Sequence, residues 1–275
     1  MKIVVLGASG MLGSAVGKYM LNAYGEENVW LSVRDPKLAY SSHNILFELP
    51  LKEHTLCKIP LDADYVINCI GIIKPFVEKV GIANTILINS VFPHQLEAYC
   101  EEHNIRLIHI TTDCVYSGKD DNYTEDDPHD CNDIYGRSKC LGEPEDWAMT
   151  LRTSIIGEEL HNNASLVEWA KSQKGKKVTG FTNHYWNGIT TATYARICQK
   201  IIDQNIMYTP GLFHVFSPTR VNKYELLKMI SNRFDLSLDI EPKEFGWKVD
   251  RTLSSNSDLS KDLRIPPISE QILEM

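Results

Sequence analysis

Long apolar runs, a basic surplus and paired cysteines are all missing from this 275-residue chain. No stretch approaches the roughly 18 uninterrupted apolar residues of a membrane-spanning helix. The opening MKIVVLGASG turns straight from one short run into glycines, without the apolar core and cleavage site of a secretory signal. Lys and Arg number 28 against 36 Asp and Glu, and the formal net charge of −8 excludes the concentrated basic face that a nucleic-acid groove needs. The seven cysteines, at 57, 69, 100, 114, 131, 140 and 198, form no C-x-x-C pair, which reads as reduced thiols in a cytoplasmic protein. The nine histidines contain no H-x-x-x-H pair, so no metal centre is expected. A G-x-S-x-G elbow is absent too, which removes serine hydrolase chemistry.

What is present alternates. KIVVL (2–6) reads as a strand, MLGSAVGKYMLNAY (11–24) as a helix and NVWLSV (28–33) as a second strand, a βαβ order that implies a parallel sheet. YVINCI (65–70) and RLIHIT (106–111) read as further buried strands, with helical segments over 84–103 between them. Beyond residue 150 the pattern loosens into strands TLRTSIIG and GLFHVFSP and helices TATYARICQKIID and NKYELLKMISNRF. The expected fold is α/β, a Rossmann-type doubly wound parallel sheet with a smaller C-terminal α/β lobe. Residues 1–157 form the dinucleotide-binding domain, about 186–218 return to the sheet, and 158–275 mainly form the substrate lobe.

GASGMLG spaces Gly7, Gly10 and Gly13 at the first strand-to-helix junction. Gly7 allows the tight turn, Gly10 lets backbone approach a pyrophosphate and Gly13 lets the helix lie close to the sheet. Ser9, Met11 and Leu12 complete a turn whose helix N-terminus offers free N–H groups to phosphates. Where the second strand ends the chain reads LSVRDP. Arg34 and Ser32 there would bind the 2′-phosphate of NADPH, whereas Asp35 keeps NADH open as the alternative.

DIYGRSK (133–139) sets Tyr135 and Lys139 one helical turn apart. A free phenol has a pKa of about 10. An ammonium beside it would lower that value and let Tyr135 protonate a carbonyl oxygen as hydride arrives at carbon. HITTDCVYSG begins as a buried strand and ends in Thr111 and Thr112, at the carboxyl end where open α/β sheets bind ligands. Thr112 is expected to hold the same oxygen. The loop KDDNYTEDDPHDCND (119–133) holds seven carboxylates between 120 and 133 without EF-hand spacing and reads as a solvated, mobile loop over the substrate.

GASGMLG, NCIG (68–71), TTDCVYSGKD, YGRSKCLGE and LRTS (151–154), in that order, resemble the extended short-chain dehydrogenase/reductases, and most closely the dTDP-4-dehydrorhamnose reductases with their sugar-nucleotide relatives. The resemblance is strongest up to about residue 157. It implies Thr112, Tyr135 and Lys139 as the catalytic set and Asn68, Cys69, Ile70 and Gly71 on the nicotinamide side of the cofactor, with Thr111, Tyr135 and Lys139 also touching the cofactor. Asn89 falls near the family's helix-borne asparagine. It further implies reduction of a 4-keto group on a nucleotide-linked 6-deoxysugar for cell-surface polysaccharide, with a homodimer as the assembly. Substrate contacts are expected at Asp113, Cys114, Val115, Trp186, Asn187 and Arg251, the last toward substrate phosphate.

Two departures keep alternatives open. Cys114 stands where sugar-nucleotide dehydratases of the superfamily carry glutamate, so dehydration is not expected. A thiol there resembles the acid/base of GDP-fucose synthase and leaves a bifunctional epimerase/reductase as an alternative, with His184 or His161 as second base. WNGITT (186–191) replaces the family's usual segment, and Trp186 is expected either to stack on ligand or to fill the core. The regulatory subunit of methionine adenosyltransferase resembles the same family, which leaves a non-catalytic dinucleotide-binding subunit as the other alternative.

Overall fold

The computed structural model describes residues 1–48, 55–161 and 164–275. Its centre is a seven-stranded sheet, every strand parallel to its neighbours. In chain order the strands are β1 (Ile3–Leu6), β2 (Val29–Val33), β3 (Asn44–Leu46), β4 (Tyr65–Asn68), β5 (Arg106–Thr112), β6 (Met149–Thr153) and β7 (Gly211–His214). Their spatial order is β7-β6-β5-β4-β1-β2-β3. The order reverses beside β1, so β1 and β4 diverge in their connections and leave a crevice at their carboxyl ends.

Period-two alternation distributes β1 between two cores. Ile3 and Val5 face helices Met11–Tyr24 and Thr191–Asp203, while Val4 and Leu6 face Phe92, Leu96, Tyr99 and Cys100 of helix Phe92–Glu102. All four strand residues are fully buried. That explains why the strand reads as an unbroken apolar run: both sheet faces are covered.

The chain crosses to a second lobe after β6 and comes back for helix Thr191–Asp203 and β7. In that lobe, strand His184–Trp186 lies between Val221–Asn222, antiparallel to it, and Val249–Asp250, parallel to it. Helix Lys223–Arg233 packs Leu226, Leu227 and Ile230 with Val167, Trp186 and Ile268 into a separate core. Its start is fixed by a reciprocal capping box between Asn222 and Glu225. Among the described residues no helix is long and apolar enough to cross a membrane.

The acidic loop differs from the expectation of a mobile, solvated segment. Tyr123 is buried and stacks on Tyr116 at 4.2 Å. Glu125 accepts the N–H of His214 and that of Asn256, and Asp130 accepts the N–H of Ser117. Carboxylates that find backbone donors pin a loop, and these hold it to β7 and to the 250–256 segment.

Candidate active site

The glycine turn is built by backbone geometry. Gly7 leaves β1 at φ +82°, a conformation L side chains rarely adopt. A methyl on Gly13 would overlap the Gly7 carbonyl, so only glycine lets helix Met11–Tyr24 sit this close. Gly10 is different: its added methyl would meet nothing nearer than 3.4 Å. Packing therefore does not require glycine there, whereas an approaching ligand would. No side chain caps the helix at Gly10, and its first-turn N–H groups stay available to an anion. This turn fits a dinucleotide pyrophosphate. Ser9 is half-buried in it and Met11 begins the helix, while the Leu12 side chain is buried in the core, so Leu12 can offer a ligand only its backbone.

At the end of β2 the expectation for Ser32 needs correction. Ser32 is buried and its Oγ accepts the Gly7 N–H at 2.8 Å, so the hydroxyl braces the turn and does not reach outward to a phosphate. Arg34, two residues on, is exposed. Asp35 spends one carboxylate oxygen on the Lys37 N–H at 2.9 Å.

On the other side of the crevice, Asn68 ends β4 and its Oδ1 accepts the Ile70 N–H, which turns Cys69, Ile70 and Gly71 out of the strand. The Asn68 amide donates to His109 Nδ1, and His109 Nε2 donates to the Gly142 carbonyl. Burial holds that imidazole neutral, well below its ordinary pKa. Cys69 is a protonated thiol because burial pushes it up. Gly71 faces Asn89 Oδ1 and Lys139 Nζ, at 3.6 and 3.8 Å from where a Cβ would lie. Asn89 sits on a π-helical turn, Leu87–Val91, an irregularity frequent at functional sites. Its side chain holds both backbone groups of Ile72 and donates to Ser138 Oγ, tying this loop to the tyrosine helix.

Tyr135 and Lys139 share helix Ile134–Cys140, capped by the Asp133 carboxylate on the Gly136 N–H. A methyl on Gly136 would overlap the Cys114 carbonyl, so this glycine sets the helix directly against the turn after β5. The contact brings Tyr135 beside the turn that carries Thr112, Asp113 and Cys114. Thr112 Oγ1 also accepts the Cys114 N–H at 3.2 Å. Thr111 points to the opposite face, where its Oγ1 donates to Glu143 at 2.8 Å, so its side chain does not face the crevice as expected.

The electrostatics of the pair differ from the expectation. Burial raises the Tyr135 phenol above its ordinary value, the neighbouring Cys114, Asp113 and Asp133 add to this, and Thr112 opposes it. Lys139 is not among the main influences on it. The Lys139 ammonium is turned to the Ile110 carbonyl at 3.0 Å and is itself lowered to about 8 by burial.

The substrate side gathers Asp113, Cys114 and Arg251 around the same turn. Burial raises the Asp113 carboxyl, with Arg251 and Lys223 acting against it. The Cys114 thiol is pushed up to about 12 by burial and by the charge of Asp113. Arg251 donates to the carbonyls of Tyr116 and Ser117 at 2.8 and 3.1 Å. Three expected contacts lie elsewhere. Val115 is fully buried among Tyr116, Tyr123 and Leu253. Trp186 is buried in the second-lobe core, the packing alternative. Asn187 exchanges both side-chain hydrogen bonds with the Leu253 backbone at 2.8 Å and is a strut between segments. Of the two candidate second bases, His161 is exposed and His184 has its Nε2 on the Phe245 carbonyl at 3.1 Å.

Sequence reasoning missed Lys223, whose ammonium is enclosed near Asp113, Cys114 and Arg251. It also missed what holds the site up. Arg152, fully buried on β6, donates to Glu143 at 3.0 and 2.6 Å and to the Nε2 atoms of His214 and His129 at 2.9 and 2.8 Å. The guanidinium can only donate, so both imidazoles accept through neutral nitrogens. Burial and the same arginine lower His214 to about 4.

The RmlD substrate binding domain family model matches residues 1–262. The spore coat polysaccharide biosynthesis protein SpsK of Bacillus subtilis is 25% identical over 91% of this chain and 86% of its own length. The probable low-salt glycan biosynthesis reductase Agl14 of Haloferax volcanii is 28% identical over 93% and 81%. Methionine adenosyltransferase 2 subunit beta of Xenopus laevis is 25% identical over 86% and 72%. The solved dTDP-4-dehydrorhamnose reductase of Bacillus anthracis, in complex with NADP, superposes with a TM-score of 0.74 over 99% of this chain and 97% of that one. At 17% identity that last likeness is one of fold. The match to the family model runs through both lobes, from the glycine turn past Arg251, and on it the chain belongs to the RmlD substrate binding domain family.

Proposed function

We propose that this protein is an NADPH-dependent reductase of the 4-keto group of a nucleotide-linked 6-deoxysugar, able to accept NADH, and that it serves polysaccharide synthesis in the cytoplasm. Residues 1–157 with the returning 186–218 carry the cofactor, and the rest of 158–275 closes over the sugar nucleotide. The observation that carries this is the packing of the Tyr135 helix directly against the Thr112–Cys114 turn at the sheet's carboxyl end, beside the crevice bounded by the glycine turn.

The Gly7–Gly13 turn would hold the pyrophosphate, Arg34 the 2′-phosphate, and Cys69 to Gly71 would line the nicotinamide. The bound cofactor supplies hydride to the carbonyl carbon. Tyr135, kept protonated by burial, donates its proton to the carbonyl oxygen. Thr112, whose one hydroxyl proton goes to Asp113 Oδ1 at 3.2 Å, would turn it to hold that oxygen. Lys139 uses one donor on Ile110 and keeps two for ribose hydroxyls beside Gly71.

The epimerising alternative needs a thiolate at Cys114, and its environment opposes one. The non-catalytic alternative leaves the packing of Tyr135 against the Thr112 turn without a use. NADPH oxidation with dTDP-4-keto-6-deoxyglucose tests the reading. Tyr135→Phe should lower kcat by about 10²–10⁴ with NADPH affinity unchanged. Full turnover in that variant would remove the mechanism.

A further inference from the structure

Lys223 opens helix Lys223–Arg233, and its Nζ lies 5.2 Å from the centre of the Trp186 ring. Strand pairing brings it to the site. Asn222 and Asp250 both pair with Tyr185, so the residues that follow them, Lys223 and Arg251, leave the small sheet on either side of one strand. Arg251 is committed to the carbonyls of Tyr116 and Ser117. The Lys223 ammonium, in contrast, has no hydrogen-bond acceptor and no carboxylate at ion-pair distance among the described residues. Asp113 is the carboxylate that acts on it, and the Cys114 thiol lies next to Asp113. Both directly follow Thr112, so Lys223 faces the reacting end of the crevice and not the phosphate-binding turn at Gly7 to Gly13.

An ammonium only donates and a carboxylate only accepts, and a hydroxyl set between them does both. A phosphate in the same place would meet the Asp113 carboxylate, a like charge. We propose that Lys223 and Asp113 form a donor–acceptor pair that holds a sugar hydroxyl beside the reacting carbonyl, which makes Lys223 the sugar-recognising residue of the second lobe. This assignment depends on the reductase function above, because that function is what puts a sugar between the lobes.

Titration calorimetry of the full chain with NADP⁺ present, using dTDP and dTDP-glucose as probes, tests it. Lys223→Met should weaken dTDP-glucose about tenfold or more and leave dTDP binding unchanged. Lys223→Arg should regain part of the loss. Lys223→Gln, similar in length but uncharged, replaces the methionine variant should that one melt early. An equal loss for both probes would assign Lys223 to the diphosphate and overturn the pair. Unchanged dTDP-glucose affinity, or a wild-type protein that binds neither probe, would overturn it as well. Sugar-selective loss in Lys223→Met together with full turnover in Tyr135→Phe would keep the pair and discard the proposed chemistry.

Discussion

The cofactor turn is one continuous stretch, Gly7 to Gly13, while the substrate side is assembled from Thr112, Asp113 and Tyr135, with Lys223 and Arg251 facing Asp113 from the second lobe. The first is shaped by glycine backbone and helix N–H groups. The second is shaped by side chains from both lobes, resting on the buried Arg152 network. A site of the first kind tolerates almost any neighbouring side chain but no extra carbon at a few positions. A site of the second kind tolerates backbone variation and fails when one buried partner is removed.

The largest test of that contrast is Glu143→Gln. It leaves the fully buried Arg152 guanidinium without its counter-charge, and unfolding free energy should drop by about 3–5 kcal/mol in urea denaturation. Wild-type stability would mean that the substrate side does not stand on this network. Gly10→Ala probes the opposite case. The new methyl meets nothing nearer than 3.4 Å, so the melting temperature should hold while NADPH affinity falls about tenfold, or about 1.4 kcal/mol. If NADPH binds the variant as tightly as before, the backbone there does not approach phosphate. Arg34→Ala should have the smallest effect, a shift of about threefold to tenfold from NADPH toward NADH in kcat/KM, since an exposed guanidinium pairs weakly through solvent. An unaltered preference would transfer cofactor choice to another residue.

Much of the fold was legible because its signals are local. Residues 191–203 read as a helix and form the helix Thr191–Asp203, and GLFHVFSP contains β7. Edge strand Asn44–Leu46 was not read, being three residues long with only Ile45 buried. Residues 69–70 looked like more of β4, yet the Asn68 side chain takes the Ile70 N–H and ends the strand. In the site, the tyrosine and threonine were legible from spacing and strand position. Ser32, Val115, Trp186 and Asn187 sat in the right segments, but burial turned their side chains into supports. The acidic loop was read from its charge, and the carboxylates of Glu125, Asp127, Asp130 and Asp133 were then spent on backbone donors.

By itself the sequence determined the strand, glycine turn and helix that open the chain, because Gly7 acts through its own positive φ and Gly13 through the Gly7 carbonyl. It also determined that Tyr135 and Lys139 share a helix. Tertiary structure decided that Lys139 turns to the Ile110 carbonyl, that Arg251 is committed to backbone carbonyls while the Lys223 ammonium has no hydrogen-bond acceptor among the described residues, and that Asp113 lies between the lobes. Those outcomes depend on groups 29 to 135 residues apart meeting in a buried space, where desolvation and pairing set each charge and no local pattern records the partner.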